Sequence, residues 1–525
     1  MIETGIDRRT TRLIRGWAPD WMAIAAPVFA ALFMRLLFLG THPMWYDEAM
    51  VQYEVKNLWV TLSTFLTFHP PLFIILAKPF HLVSLNEWCL RLPSALFGTI
   101  AVWLTVLLGR RLMDARTGFY AGMFLAFSPF HIFYSQQFRP NSLLSLMAAA
   151  CLLVTAKLII DSPGGPGEPR GETWRWFAVT HILLLYTHFF GVLLLAAEDI
   201  AILLTRKLTM RFVRRWLGTH LIIIASAAPL ITLFRKITTA VTGVQTIWIE
   251  PITWRTPFNS FKLFNFGFYL VGTRARFAMV LVGCILLIGL SAMRRQRREL
   301  VFLAATTVIP PAVPMLASLV INPIYLERSL VFILVPYAVL LGRGLARIPP
   351  RLPAVLAMAP LVLLLAGPMW AQYNNHQFPC SNRTACARIE AKQAVNYIRA
   401  HWHEGDFVGH NHIQGYIPFI FYMPIENQAY LISRWGEDQI ILGGFTYPVE
   451  ETERAITLYG GHFDLFDRAA AFHSRLWLVF TRPGVNNELS AEAHWMMNRM
   501  AELGWTIADY QRFMGIELYL YQPEQ

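Results

Sequence analysis

Long apolar runs separated by short clusters of arginine and lysine fill positions 1–371, and from Gln372 onward the pattern breaks into short apolar stretches between polar ones. A helix needs about 20 apolar residues to cross a bilayer. Runs approaching or reaching that length lie at Trp21–Gly40, Trp88–Gly109, Gly118–Phe133, Asn141–Ile160, Leu217–Phe234, Phe277–Met293, Leu300–Ile321, Leu330–Leu345 and Pro353–Trp370. Trp176–Leu204 is longer and has Arg175 before it and Arg206 and Lys207 after it. As one helix it would extend roughly 43 Å against a ~30 Å hydrocarbon core, with its basic ends on opposite sides. Two helices meeting at Tyr186-Thr187-His188-Phe189-Phe190-Gly191 satisfy both constraints. Pro71–Leu85 is short and holds Lys78, Pro79 and His81, so it reads as an interfacial or re-entrant helix. The pattern predicts a mainly α, polytopic membrane domain over 1–371 with about eleven transmembrane helices.

The remainder, 372–525, is of domain size. Ala385–His401 and Ala491–Leu503 read as helices, and Phe407–Val408, Leu476–Phe480 and Glu517–Tyr521 as buried strands. A small α/β domain is the expectation, with no glycine-rich nucleotide fingerprint and no internal repeat.

Composition sharpens this picture. The chain has 525 residues, 55% hydrophobic and only 15% charged, with a mean hydropathy of +0.42. Soluble domains carry about 25% charged residues, so the deficit points to a membrane. The net charge of +12 is uneven: from Gln372 onward 11 Lys and Arg face 17 Asp and Glu, a net of −6, so the rest carries +18. That excess sits in clusters between apolar runs, the mark of cytoplasmic loops and not of nucleic-acid binding. Arg8, Arg9, Arg12 and Arg15 then place the N-terminus in the cytoplasm and the C-terminal domain outside. Trp21–Gly40 is too long, and lacks the small-residue cleavage pattern, for a secretory signal. Cys89, Cys151 and Cys284 fall in apolar runs and read as core residues. Cys380 and Cys386 form either a local disulfide of an external domain or two free thiols.

Asp47, Glu48, His69, Gln136, Arg139, His188 and Arg328 all map to external loops or outer span ends of this topology. The Asp47 carboxylate can take a proton from an attacking hydroxyl. Glu48 can hold a divalent cation or orient its neighbour, and His69 can ligate a metal or donate a hydrogen bond. Each has a plainer reading: a solvated acidic pair, a core histidine at His188, an interfacial anchor at Arg139, a local ion pair between Glu327 and Arg328. Arg35, near the outer end of the first span, either snorkels to the headgroups or faces the site. Trp248, Trp254, Phe258, Phe261, Phe264 and Phe268 crowd the predicted external loop between 235 and 276, as interface anchors or as a sugar-stacking platform.

Four stretches together resemble the GT-C membrane glycosyltransferases, in the branch of the protein O-mannosyltransferases and the lipid A aminoarabinose transferase. They are WYDEA (Trp45–Ala49), HPPLFIIL (His69–Leu76), LRLPSALFG (Leu90–Gly98) and SPFHIFYSQQFRP (Ser128–Pro140), with a fainter echo at YLERSLVFILVP (Tyr325–Pro336). The resemblance implies an inverting transferase at the outer face of a bacterial inner membrane. It would use a sugar on a polyprenyl phosphate, with a protein, lipid or glycan acceptor and no nucleotide cofactor. It implies Asp47 as base and Glu48 as acidic partner, with Arg139 and, more loosely, Arg328 on the donor phosphate. His69 would sit near the active site, where some relatives contact a metal. Ser329 stands where the family has tyrosine, and His188 where some relatives have lysine.

A polytopic transporter or lipid flippase is the alternative. It predicts ionisable residues deep within the spans and paired repeats, and neither stands out in the sequence.

Overall fold

The computed structural model describes residues 20–64, 70–160, 169–241, 249–268, 270, 272–320, 323–348, 370, 377–379, 385–387, 389–423, 425–432, 439–442, 445–448, 463–481 and 489–524. The first part is helical. In order come α1 (Asp20–Leu36), α2 (Tyr46–Lys56), α3 (Leu58–Thr64), α4 (Leu72–Val83), α5 (Glu87–Leu112), α6 (Ala115–Phe127), α7 (Pro129–Ser135) and α8 (Asn141–Ile160). They are followed by α9 (Gly171–Leu185), α10 (Gly191–Thr205), α11 (Met210–Val241), α12 (Thr256–Phe266), α13 (Gly272–Ala292), α14 (Arg297–Ala317), a 3-10 turn (Glu327–Ile333) and α15 (Leu334–Arg347).

Among the described residues, six helices are long and apolar enough to cross a membrane, within α5, α8, α11, α13, α14 and the joined Glu327–Arg347. The chain is an integral membrane protein on this ground. The expected hairpin within 176–204 forms as α9 and α10, with the turn at 186–190. Of the last expected span, Pro353–Trp370, only Trp370 is described.

Several expectations are corrected. Asp47 and Glu48 do not lie in a loop but in the first turn of α2. Gly118–Phe133 is not one span. It breaks at Ser128, whose hydroxyl accepts from the His131 amide at 3.3 Å, with Pro129 starting α7. Arg35 neither snorkels nor faces the site. It is fully buried and donates to the carbonyls of Leu125 (3.2 Å) and Ala126 (3.3 Å), the end of α6, and to His131 Nδ1 (2.8 Å). Helix-end carbonyls inside a membrane need a donor, and a guanidinium suits their negative dipole. Ionisable residues do lie deep among the helices: Glu198 of α10 meets His181 of α9 at 2.5 Å, and Asp199 meets His220 of α11 at 2.8 Å. Their helical spacing hides them within an apolar run. Cys89 and Cys151 are buried as expected, but Cys284 is exposed.

Close packing of the later helices uses glycine. A Cβ on Gly344 would lie 2.1 Å from the Ile285 carbonyl oxygen, and one on Gly289 would lie 2.4 Å from that of Leu340, so α13 and α15 touch backbone to backbone.

The C-terminal part is α/β. Strands β1 (Gln377–Pro379) and β2 (Ala385–Ala387) pair antiparallel, so the expected helix begins only at α16 (Ala391–Ala400). Cys380 lies outside the described residues. A six-stranded sheet follows, built from β3 (Asp406–His410), β4 (Gln428–Ile432), β7 (Phe463–Leu465), β8 (Arg475–Thr481), β9 (Trp505–Phe513) and β10 (Ile516–Pro523) in the order β7-β4-β3-β8-β10-β9. The first four are parallel, and β10 and β9 are antiparallel. A separate hairpin joins β5 (Gln439–Leu442) to β6 (Phe445–Pro448). The expected strands at Phe407–Val408, Leu476–Phe480 and Glu517–Tyr521 lie in β3, β8 and β10. Helix α17 (Ile413–Tyr422) packs against α2, with Ile417 on Ala49, both buried.

Candidate active site

Asp47 sits in the first turn of α2, where a carboxylate is favoured by the helix dipole. Its side chain, 19% exposed, accepts from Arg139 and, at 3.2 Å, from Arg328 Nη1. Arg139 follows α7, and its guanidinium lies 5.6 Å from the Trp45 ring centroid. Two polar side chains fix the backbones behind these arginines. Ser94 donates to the Arg139 carbonyl at 3.3 Å, and Asn141 to that of Arg328 at 2.9 Å. The adjacent Glu327 does not pair locally with Arg328, for its carboxylate accepts from Ser260 at 2.9 Å.

His188, in the α9–α10 turn, lies within electrostatic reach of the same two guanidiniums. Burial and their charge push its imidazole down to about 4, so it is neutral at physiological pH. Nδ1 accepts the Phe190 amide at 3.1 Å, which leaves the hydrogen on Nε2. His69 lies outside the described residues. The Leu72 amide, three positions on, donates to the Tyr186 carbonyl at 2.9 Å and ties the start of α4 to this turn.

Glu48 stands apart from Asp47 although it is the next residue. Its side chain is 1% exposed, and Arg91 binds it through Nε at 2.8 Å and Nη2 at 2.6 Å. The Phe138 amide adds a third bond at 2.7 Å. The remaining Arg91 donors hold the carbonyls of Leu39, His42 and Pro43 at 3.2, 2.8 and 3.1 Å. Glu48 therefore anchors α2 and presents no free oxygen to a cation. Gln136 is also turned inward, capping the end of α1 through the Leu37 carbonyl at 2.7 Å. Sequence reasoning missed Arg91. A lone arginine in the apolar run 88–109 was the available signal, since such a charge requires a buried partner.

Among the described residues, no group of three or more His, Cys, Asp or Glu side chains could hold a metal ion. Asp47 is already flanked by two cations, and Glu48 is saturated. The arrangement suits an anion: two guanidiniums meet at one carboxylate. An apolar cleft of about 270 Å³ runs between α12, α14, the end of the 3-10 turn and α15, lined by Phe261, Phe264, Met315, Tyr325 and Tyr337 among others.

Residues 68–232 match the family model described as dolichyl-phosphate-mannose-protein mannosyltransferase. That stretch includes Arg139 and His188 but neither Asp47 nor Arg328. No curated protein matches the sequence. Among solved structures, ArnT from Cupriavidus metallidurans bound to undecaprenyl phosphate superposes with a TM-score of 0.61 at 13% identity, over 96% of this chain and 98% of that one. Its apo form gives 0.60 at 13% identity, over 95% and 97%. In fold across nearly its whole length, and in sequence over 68–232, this chain resembles the GT-C membrane glycosyltransferases.

Proposed function

We propose that the chain is an inverting membrane glycosyltransferase that moves a sugar from a polyprenyl-phosphate-linked donor to a hydroxyl of a protein, lipid or glycan. The observation that carries this reading is the meeting of Asp47, Arg139 and Arg328 from three separate elements. Guanidinium forks engage phosphate and carboxylate alike, so a donor phosphate can take the place of a carboxylate between two arginines. A donor phosphate entering between Arg139 and Arg328 takes over their bonds and releases Asp47. The freed carboxylate accepts the proton of the acceptor hydroxyl. The acceptor oxygen bonds to the anomeric carbon from the face opposite the phosphate, and the carbon–phosphate-oxygen bond breaks. The polyprenyl phosphate leaves with the bonding electron pair, and its charge is met by the two arginines and the His188 N–H. The apolar cleft between α12, α14 and α15 suits part of the prenyl chain, and undecaprenyl phosphate is the carrier that ArnT suggests.

In this reading the N-terminus is cytoplasmic, and the site and the domain over 372–525 face outward across a bacterial inner membrane. No step is assigned to a divalent cation. The test is mass spectrometry of envelope glycoconjugates in cells expressing wild type or Asp47→Asn at matched levels. Loss of a glycosylated species in the variant is expected, and an unchanged profile overturns the base. The transporter or flippase reading draws support from the His181–Glu198 and His220–Asp199 pairs. It predicts that substitutions there abolish lipid translocation while Asp47→Asn leaves the glycoconjugates intact.

A further inference from the structure

One tyrosine of the α/β domain reaches the chain segment that carries the base. Tyr422 ends α17, and its hydroxyl accepts the Met44 backbone N–H at 2.7 Å while donating to Glu87 Oε1 at 2.9 Å. A phenol has one hydrogen to give, and both of its directions are used here. Glu87, 6% exposed at the start of α5, also accepts from Lys392 Nζ at 2.8 Å, so a second residue of the same domain meets the same carboxylate. The Lys392 ammonium lies 5.9 Å from the Tyr422 ring centroid, and Arg399 donates to the Tyr422 carbonyl.

Met44 is fully buried and lies three residues before Asp47. The same loop offers its carbonyls at Leu39, His42 and Pro43 to Arg91, whose other bonds hold Glu48. The loop is thus gripped through its carbonyls by the membrane helix α5 and through the Met44 amide by the α/β domain. Apolar contact between Ile417 and Ala49 would leave α17 free to slide along α2. A hydrogen bond with a buried amide on one side and a carboxylate on the other does not.

We infer that Tyr422 is a positioning residue for transfer: through Met44 and Glu87 the α/β domain sets where α2 begins and so where Asp47 lies against Arg139 and Arg328. This rests on the reading of Asp47 as the base. It gives the C-terminal domain a part in the reaction besides any contact it makes with acceptor.

The experiment uses the full chain in lipid nanodiscs, with Tyr422→Phe, Glu87→Gln and the double variant. Tyr422→Phe keeps the ring and its packing. Amide exchange over 39–50 should speed up about tenfold in Tyr422→Phe, with β3 and β8 unchanged and undecaprenyl phosphate affinity within about twofold of wild type. The double variant should loosen 39–50 by less than the sum of the two single variants, because both act on the Tyr422–Glu87 contact. Glycoconjugate yield per molecule should fall about tenfold. Unchanged exchange over 39–50 overturns the inference, and so does equal loosening of β3 and β8, which would make the tyrosine a prop of its own domain. Loosening over 39–50 with full transfer overturns the positioning role. The exchange readout does not depend on the reaction, so a failure of Asp47 as base is read separately, from Asp47→Asn.

Discussion

Asp47 and Arg328 are 281 positions apart, and their side chains meet at 3.2 Å. The contact joins the start of α2 to the turn before α15, and Arg139 meets the same carboxylate. In the proposed reaction this carboxylate holds the place that the donor phosphate takes.

Replacing Asp47 by asparagine removes that placeholder as well as the base. Transfer should drop by about 10²–10⁴-fold. Undecaprenyl phosphate should bind more tightly, because it no longer displaces a carboxylate from two guanidiniums. Microscale binding of undecaprenyl phosphate to the purified protein checks the second outcome, and weaker binding would contradict the placeholder role.

Arg139→Lys keeps a charge but loses the fork. Undecaprenyl phosphate affinity should fall about tenfold and become more sensitive to salt. Arg328→Ala should have an effect of similar size, and a binding titration at two ionic strengths distinguishes these variants from wild type.

Glu48 and Arg91 predict a different phenotype. Breaking a buried pair leaves an uncompensated charge and costs about 3–5 kcal/mol. Arg91→Leu should therefore lower thermal stability in detergent sharply, whereas Asp47→Asn should shift it little. A melting curve of each variant is the measurement.

Burial pushes His410 down to about 3 and His412 down to about 4 in the α/β domain. Both are neutral when folded, while an unfolded histidine titrates near 6.5. Their contribution to stability is whole above pH ~6.5 and is lost as the pH falls, because the unfolded state then takes up protons that the folded state refuses. Each should cost roughly 1.4 kcal/mol per pH unit between pH ~6 and ~4. Amide exchange of β3 at pH 7, 6 and 5 should show it. By the same logic His188, pushed down to about 4, should leave no inflection near 6.5 in the pH profile of transfer.

Chelation tests the cation directly. With Asp47 between two arginines and Glu48 saturated, transfer in washed membranes should survive excess EDTA, measured by glycoconjugate yield before and after treatment. A loss restored by a divalent metal would place a ligand at His69.

Asn141–Ile160 emerges in the structure with the bounds its composition suggested, because spanning a bilayer is a one-dimensional requirement: enough apolar residues in a row, ended by polar ones. The hairpin at 186–190 was legible for the same reason, through length and basic ends. The break at Ser128 was not, although serine before proline is a known helix start. What makes the break tolerable is Arg35, some 90 positions away, supplying hydrogen bonds to carbonyls that lipid cannot satisfy.

Residue type and position brought Asp47, Arg139, Arg328 and His188 forward as candidates together with Glu48, His69 and Gln136, and only the family resemblance gave them roles. Composition could not rank Asp47 against Glu48, or foresee that Gln136 caps α1. Neighbours on a helix point roughly 100° apart, so the role of each depends on what the other helices bring to that face. Arg91 closes over one carboxylate, while Arg139 and Arg328 meet the other. Length and polarity are properties of the chain read in order, and they set the membrane architecture. Which carboxylate meets the two arginines, and which tyrosine holds its helix, follow from partners far away in sequence that only packing brings together.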